Sequence, residues 1–154
     1  MSQFRAACIQ NTASRDIAAN IAWVCARIEE AVAGGAEFIA LPETVGLIEP
    51  VNARIPAATS SETDDAGLAA FRASAAQHKV VILVGSQLIS EQGKIYNRSF
   101  LLGPEGEILA RYNKLHMFDI ELKNGESYLE SEAIAAGDKA VMVTTEWGQL
   151  GLSI

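Results

Sequence analysis

The sequence has few of the features that mark secreted or membrane proteins. Its 154 residues include two cysteines, Cys8 and Cys25, which are too few for a framework of disulfide bonds. No apolar run approaches the roughly 18 residues that a membrane-spanning helix needs. The N-terminus lacks the basic and apolar regions of a secretory signal. We therefore expect a cytoplasmic protein with no membrane partner.

Positive charge is also scarce. Twelve lysines and arginines stand against 19 acidic residues, which gives a formal net charge of −7 at pH 7. Nucleic-acid-binding proteins usually present a basic face, and no cluster of basic residues occurs here. We therefore expect no nucleic-acid partner. The two histidines, His78 and His116, have no second ligand at a spacing that suits zinc.

The first part of the chain alternates between strand and helix patterns. Phe4–Gln10 and Glu37–Glu43 are short apolar segments that predict strands. Between them, apolar residues recur at intervals of three and four from Ile17 to Val32, as in an amphipathic helix. Thr12 or Ser14 is expected to cap this helix. The order predicts a βαβ unit and a partly parallel sheet.

The later part of the chain predicts one more helix and several antiparallel strands. The predicted segments are a helix over about 63–78, a strand over Val80–Ile89, a hairpin around Gly103–Gly106, a polar loop over 125–137, and strands over Val141–Glu146 and Gln149–Ile154. We interpret residues 1–154 as a single α/β domain, or part of one, with helices on one face of its sheet. The other face is also apolar, too few elements remain to cover it, and the chain ends inside a predicted strand.

Three charged residues are candidates for chemistry. Glu43 closes an apolar strand, where open α/β sheets build ligand sites, and it is either a general base or a solvated loop glutamate. Lys114 also closes a predicted strand and could stabilise an oxyanion, although most lysines are surface residues. Glu130 shares a loop with Glu126 and Glu132, and the residues alone do not choose among these acids.

No nucleophile accompanies these residues. Cys8 falls within a predicted buried strand, and Cys25 lies beside the apolar stripe of the first helix. Both are expected to be small core residues, because reactive thiols need a partly exposed, electropositive setting. The sequence also has no G-x-S-x-G motif for a nucleophilic serine. The chain offers an acid and a lysine without a group to attack a substrate.

Taken together, the segments resemble the nitrilase superfamily of carbon–nitrogen hydrolases. Five stretches occur in the family's order: "FRAACIQ" with its helix, "FIALPE", "GKIYNRSFLLGPEGEILARYNKLHMFDIE", "SYLES…AAGD" and "WGQLGLSI". The resemblance spans the whole chain. It implies a four-layer αββα sandwich, of which residues 1–154 would form the N-terminal part as a single incomplete domain. It implies no metal and no organic cofactor.

The resemblance also implies a role for each candidate residue. Glu43 would be the general base, Lys114 the oxyanion donor, and Glu130 the acid that orients Lys114 or the substrate nitrogen. The nucleophilic cysteine would follow Ile154 directly, so that the chain was either cut there or is broken at a chemically modified cysteine. The reaction would convert an amide to a carboxylate and ammonia through a thioester. The 154-residue chain alone is then expected to be inactive.

The substrate expected from the resemblance is a small-molecule amide. "NKLHMFDIEL" and "ESYLES" are most similar to the branch that hydrolyses ω-amides of small carboxylic acids and deaminated glutathione. The resemblance also implies a homodimer formed through parts beyond this chain. Two alternatives stay open: an N-carbamoyl hydrolase or nitrilase of the same family, and a non-catalytic α/β domain that binds a ligand or partner.

Overall fold

The computed structural model describes residues 3–154. Its strands are β1 (Ala6–Cys8), β2 (Phe38–Ala40), β3 (Val81–Glu91), β4 (Lys94–Leu102), β5 (Ile108–Asn113), β6 (Asp119–Glu121), β7 (Ser127–Leu129), β8 (Val141–Thr145) and β9 (Gly148–Leu152). Its helices are α1 (Ile17–Ala33), α2 (Ile55–Ala58) and α3 (Ala66–His78), with single 3₁₀ turns at Asn52–Arg54 and Glu130–Glu132. No helix among the described residues is long and apolar enough to cross a membrane.

The central sheet has five strands, which lie side by side in chain order from β1 to β5. β1, β2 and β3 are parallel, whereas β3, β4 and β5 are antiparallel. The predicted βαβ unit and the predicted hairpin around Gly103–Gly106 are therefore confirmed. This mixed α/β sheet directs the carboxyl ends of β2 and β5 toward the same region, which holds the candidate site described below.

Helix α1 begins two to four residues later than its predicted caps imply. Its N-cap is Asp16, whose carboxylate accepts the Ala19 N–H at 3.0 Å, so the prediction of Thr12 or Ser14 was wrong. The Ser14 hydroxyl instead accepts the Asp16 N–H at 3.1 Å and holds the loop before the helix. Gly34 ends the helix, and its N–H bonds to the Glu30 carbonyl, as expected for a C-terminal glycine.

The main core lies between the sheet and helices α1 and α3. Each helix turns its apolar stripe toward the strands, and the fully buried side chains of the core include Val24, Ile28, Ile39, Leu68, Phe71, Ile82 and Phe100. Full burial of one such side chain contributes about 1.5–3 kcal/mol. This face of the sheet thus forms the rigid base from which the site loops extend.

The opposite face of the sheet is covered in part by the β8–β9 hairpin. Leu152 of β9 packs on Leu101, Ala110 and Tyr112, while Leu83 and its neighbours stay only partly buried. The expectation that no element would cover this face was therefore wrong in part, because the last two strands pair with each other and lie across it.

Two further local predictions were wrong. The segment 125–137 is not only a polar loop, because β7 pairs with β6 and a 3₁₀ turn follows it. Cys8 is exposed rather than buried, because β1 is the edge strand and nothing among residues 3–154 covers its outer side. Cys25 is partly buried and packs against the main core, as expected.

Candidate active site

Glu43 stands where the chain leaves β2. The Leu41 N–H still bonds to the Leu83 carbonyl at 2.8 Å, and the Pro42 carbonyl accepts the Ser86 N–H at 3.2 Å. Beyond Glu43 the chain turns sharply, and Thr44 adopts a left-handed backbone with φ of +46°. A β-branched residue rarely adopts this conformation, so the surrounding contacts must hold it there.

A bulge in β3 supplies those contacts. The register of β3 against β4 shifts between Val84 and Gln87, which frees Gly85 and Ser86 to face the turn. The Ser86 hydroxyl accepts the Thr44 N–H at 2.8 Å, so Ser86 binds the chain on both sides of Glu43. A Cβ at Gly85 would lie 2.2 Å from the Leu41 carbonyl oxygen, and only glycine allows this approach.

Lys114 directly follows β5 and is held by its backbone. Its N–H donates to the Asn97 carbonyl at 2.9 Å, and its own carbonyl accepts the Gly137 N–H at 2.8 Å. The side chain is only 11% exposed, so its ammonium is directed into the molecule. The lysine is therefore a partly buried cation, unlike most lysines.

Glu130 lies just after β7 and opens a 3₁₀ turn. Its Oε2 accepts the Phe118 N–H at 2.7 Å, and its side chain is 17% exposed. The structure thus brings Glu130 to Lys114, whereas Glu132 bonds to Asn52 nearby and Glu126 stays on the surface. The pairing of β7 with β6 therefore determines which of Glu126, Glu130 and Glu132 reaches Lys114, a question that the residue pattern left open.

The three candidate side chains form one ion-paired cluster. The Lys114 Nζ lies 3.0 Å from Oε1 of Glu43, and 2.9 and 3.2 Å from Oε2 and Oε1 of Glu130. Glu43 is the most accessible of the three, with 48% of its side chain exposed. The cluster therefore joins the Lys114 ammonium to one partly buried carboxylate, Glu130, and one accessible carboxylate, Glu43.

The ion pairing shifts the pKa values of Lys114 and Glu130, the two less exposed members of the cluster. Burial alone would lower the pKa of Lys114, but hydrogen bonds to Glu130 and Glu43 raise it above its ordinary value. Burial would raise the pKa of Glu130, but hydrogen bonds from the Phe118 amide, from Lys114 and from Asn97 hold it below its ordinary value. Both groups are consequently charged at neutral pH.

Asn97 belongs to the cluster, and the sequence analysis missed it. It lies in β4, is 2% exposed, and donates from Nδ2 to Oε1 of Glu43 at 2.7 Å and to Oε1 of Glu130 at 3.4 Å. The available signal was a run of polar residues, "NRS", inside the otherwise apolar strand "IYNRSFLL". Buried polar side chains in a strand need partners, and here the partners are the two glutamates.

A cavity of about 730 Å³ opens beside the cluster. Glu43, Asn97, Lys114 and Glu130 lie in its wall, and most of the rest of the lining is apolar: Leu47, Ile48, Val51, Ile55, Leu88, Phe118, Leu129 and Ile134. Neither Cys8 nor Cys25 reaches the cavity.

Residues 3–154 also contain no group of three His, Cys, Asp or Glu side chains that could hold a metal ion. The site can take up a proton and stabilise an anion.

The sequence matches a known family over nearly all of its length. The model of the carbon–nitrogen hydrolase family matches residues 5–154. The chain belongs to the carbon–nitrogen hydrolase family. The likeness inferred from the five sequence motifs is therefore confirmed, and the mixed sheet with its helical layer is the N-terminal part of the family fold.

The relatives of this chain include named amidases. It is 34% identical to the deaminated glutathione amidase of Synechocystis sp. and 29% identical to the omega-amidase of Homo sapiens, and both alignments cover 100% of this chain. They cover 58% and 55% of those proteins, so the chain spans about half the length of these relatives.

Among solved structures, the NitFhit protein of C. elegans is similar with a TM-score of 0.87 and 28% identity. That match covers 99% of this chain and 38% of the NitFhit chain. The likeness confirms the fold class. The roles of Glu43, Lys114 and Glu130 stay predictions.

Proposed function

We propose that this carbon–nitrogen hydrolase, in its complete form, cleaves a small amide to a carboxylate and ammonia. The observation that supports this most directly is the Lys114 ammonium, which is held between Glu43 and Glu130 in the wall of a cavity. Such a cluster combines a general base with an oxyanion donor, the two groups that acyl transfer needs besides a nucleophile.

The nucleophile in this proposal is a cysteine that directly follows Ile154. Glu43 takes the proton of its thiol, and the thiolate attacks the amide carbon to form a tetrahedral intermediate. When the carbon–nitrogen bond breaks, Glu43 returns the proton to the departing nitrogen, which leaves as ammonia. A thioester remains. Glu43 then takes a proton from water, and the hydroxide oxygen attacks the thioester carbon. When the carbon–sulfur bond breaks, Glu43 returns this proton to the sulfur, and the product leaves as the carboxylic acid, which ionises to the carboxylate.

Lys114 stabilises the oxyanion of both tetrahedral intermediates. Its raised pKa keeps the ammonium charged throughout the neutral range, so the positive charge is present before the reaction begins. Removal of one oxyanion donor typically costs about 2.7–4 kcal/mol in the transition state. Glu130, which is partly buried and contacts Lys114 through both oxygens, keeps the ammonium in place.

The proposed substrates are ω-amides of small carboxylic acids. The names of the relatives support this class, since one is an omega-amidase and another acts on deaminated glutathione. The cavity is large enough for a small molecule, because ligand pockets generally measure about 300–1,000 Å³. Its apolar wall can contact the carbon chain of such a substrate.

The test is ammonia release by the complete protein from the monoamides of succinic and glutaric acid. Glu43→Gln and Lys114→Ala should each abolish turnover while the circular dichroism spectrum stays that of the wild type. Glu126→Gln, which changes a surface acid near β7, is the matched control and should keep full activity. Near-normal turnover in Glu43→Gln or Lys114→Ala would remove that residue from the mechanism.

A substrate panel separates the proposed amidase from its relatives in the family. N-carbamoyl amino acids and aliphatic nitriles should be turned over far more slowly than the ω-amides. If the protein prefers one of these compounds, the proposed roles of Glu43, Lys114 and Glu130 stand but the proposed substrate class is wrong. A folded complete protein that turns over none of them would overturn the proposed function.

A further inference from the structure

We propose that Asn97 is a positioning residue that determines which oxygen of Glu43 acts as the base. This inference rests on the proposed function and adds to it an almost wholly buried residue that acts through Glu43. It depends on three features of the structure: the shared donor of Asn97, the distribution of bonds on Glu43, and the unpaired oxygen of the Asn97 amide.

The Asn97 side-chain nitrogen lies within hydrogen-bonding distance of both carboxylates. Nδ2 is 2.7 Å from Oε1 of Glu43 and 3.4 Å from Oε1 of Glu130, while the side chain is almost wholly buried. The backbone carbonyl of Asn97 also accepts the backbone N–H of Lys114 at 2.9 Å. A single residue of β4 therefore contacts all three members of the cluster and fixes their spacing.

The bonds on Glu43 are unevenly distributed. Oε1 accepts from both Asn97 at 2.7 Å and Lys114 at 3.0 Å. Oε2 accepts no hydrogen bond from residues 3–154, and the side chain is half-exposed at the cavity. An oxygen that already accepts two bonds is the poorer proton acceptor, so the remaining oxygen, Oε2, is the one available to a thiol.

Asn97 also holds Glu43 in place when the Lys114 ammonium, a hydrogen-bond donor, moves during catalysis. All three short contacts of the Lys114 ammonium run to carboxylate oxygens, at 2.9, 3.0 and 3.2 Å. To bond to a substrate oxyanion, the ammonium must weaken one of them. Because Asn97 keeps its bond to Oε1 of Glu43, that carboxylate retains its orientation when Lys114 turns toward the substrate.

The other end of the Asn97 amide fixes its orientation. Oδ1 is buried and accepts no hydrogen bond from the described part of the chain. An unpaired buried acceptor is unfavourable, but the reversed amide would direct that oxygen at two carboxylates, which is worse. The residue is thus held by its donor end. An amide donor cannot lose its proton at any working pH, so it supports Glu43 in both halves of the reaction.

The test compares Asn97→Asp with Asn113→Asp in the complete protein. Both are the same isosteric change on neighbouring strands, and Asn113 lies outside the cluster, where its Oδ1 accepts from Arg98 at 2.7 Å. We expect kcat to fall roughly tenfold to a hundredfold in Asn97→Asp, since a hydrogen bond to a charged group is removed, while KM changes little. Asn113→Asp, which keeps an acceptor for Arg98, should stay within about twofold of wild type.

Three measurements exclude a merely structural role and the effect of an added charge. Asn97→Leu removes the donor without adding a carboxylate, and it should shift the acidic limb of the kcat/KM profile to higher pH, as Asn97→Asp does. Independently of turnover, the carboxyl carbon NMR chemical shifts of both cluster glutamates at pH 7 should change in Asn97→Leu, that of Glu43 more than that of Glu130, because Nδ2 lies closer to Glu43. Asn97→Ser, which keeps a short donor, should recover part of kcat.

The outcomes separate this inference from the proposed function. If the folded wild-type protein releases no ammonia but the carboxyl resonance of Glu43 still moves in Asn97→Leu, the proposed reaction fails and the positioning role stands. If the wild type is active, and Asn97→Asp and Asn97→Leu both keep its pH profile and Asn97→Leu keeps its Glu43 carboxyl resonance, the positioning role is overturned.

Discussion

Glu130 stabilises the Lys114 ammonium only while its own carboxyl group is ionised. Because its folded-state pKa lies below the ordinary value, this contribution is present above the unfolded pKa of about 4.3 and is lost as the pH falls through the folded pKa. Lys114 has a raised pKa, so its contribution is present below about 10.4 and is lost as the pH rises through the folded value.

This linkage predicts a pH-dependent effect of Glu130→Gln on the complete protein. At pH 7 the variant should lose about 1–3 kcal/mol of unfolding free energy, because the ammonium loses a charged partner. Below pH ~4 the difference should narrow, since the wild-type carboxyl becomes protonated as well. Urea unfolding at a series of pH values measures this difference in unfolding free energy between the variant and the wild type. Glu126→Gln is the control and should unfold with the same free energy as the wild type. A loss of unfolding free energy in Glu130→Gln that stays constant with pH would contradict the predicted linkage.

The bulge of β3 is the element that sets the position of Glu43. Gly85→Ala would place a Cβ 2.2 Å from the Leu41 carbonyl oxygen and force β3 away from the turn that follows β2. We expect a loss of about 1–3 kcal/mol in stability from overpacking and a fall in kcat, because Glu43 moves with the turn. Denaturant unfolding and ammonia release measure the two effects.

Gly93→Ala provides the control for the bulge. Gly93 has φ of +76°, and a Cβ there would contact nothing within 4 Å, so the variant strains a turn that is remote from Glu43. It should lose stability but keep kcat. If Gly93→Ala and Gly85→Ala lower kcat equally at temperatures where both are folded, the bulge has no particular role in the site.

At the level of elements, the sequence predicts those parts of the site that close apolar strands. Glu43 and Lys114 were found because each closes a predicted strand. Asn97 was missed because it lies inside a strand, where its burial depends on partners 54 and 33 residues away in the chain. The β3 bulge was missed for the same reason, since Gly85 and Ser86 look like ordinary strand residues until the turn after β2 packs on them.

Edge and face positions could not be predicted from periodicity. The pattern around Cys8 is that of a buried strand, but β1 lies at the edge of the sheet, and the thiol is exposed. Similarly, β6 and β7 are only three residues long each, too short for a strand pattern to stand out from a polar loop. Burial of a strand is a property of its neighbours, which the local sequence does not contain.

At the scale of the whole molecule, the 154-residue chain leaves much apolar surface exposed. Its large exposed apolar side chains include Phe4, Trp23, Phe118, Tyr128 and Met142, the last with 69% of its surface exposed. Exposed apolar patches and unpaired strand edges promote association. We expect the isolated chain to form oligomers or aggregates in sedimentation velocity experiments at concentrations where the complete protein stays in one defined species. A stable monomer would contradict this.

The isolated 154-residue chain should also fail to release ammonia from ω-amides. Its cluster can accept a proton and stabilise an oxyanion, but neither Cys8 nor Cys25 lies in the wall of the cavity, so no thiol can attack there. The complete protein is the positive control at the same concentration. Isothermal titration of the isolated chain with the amide measures binding. Together with the turnover assay, it separates a non-catalytic binding domain from a chain that contains its own nucleophile. Tight binding without turnover by either protein would favour a non-catalytic binding domain, whereas turnover by the pure isolated chain would show that the nucleophile lies within residues 1–154.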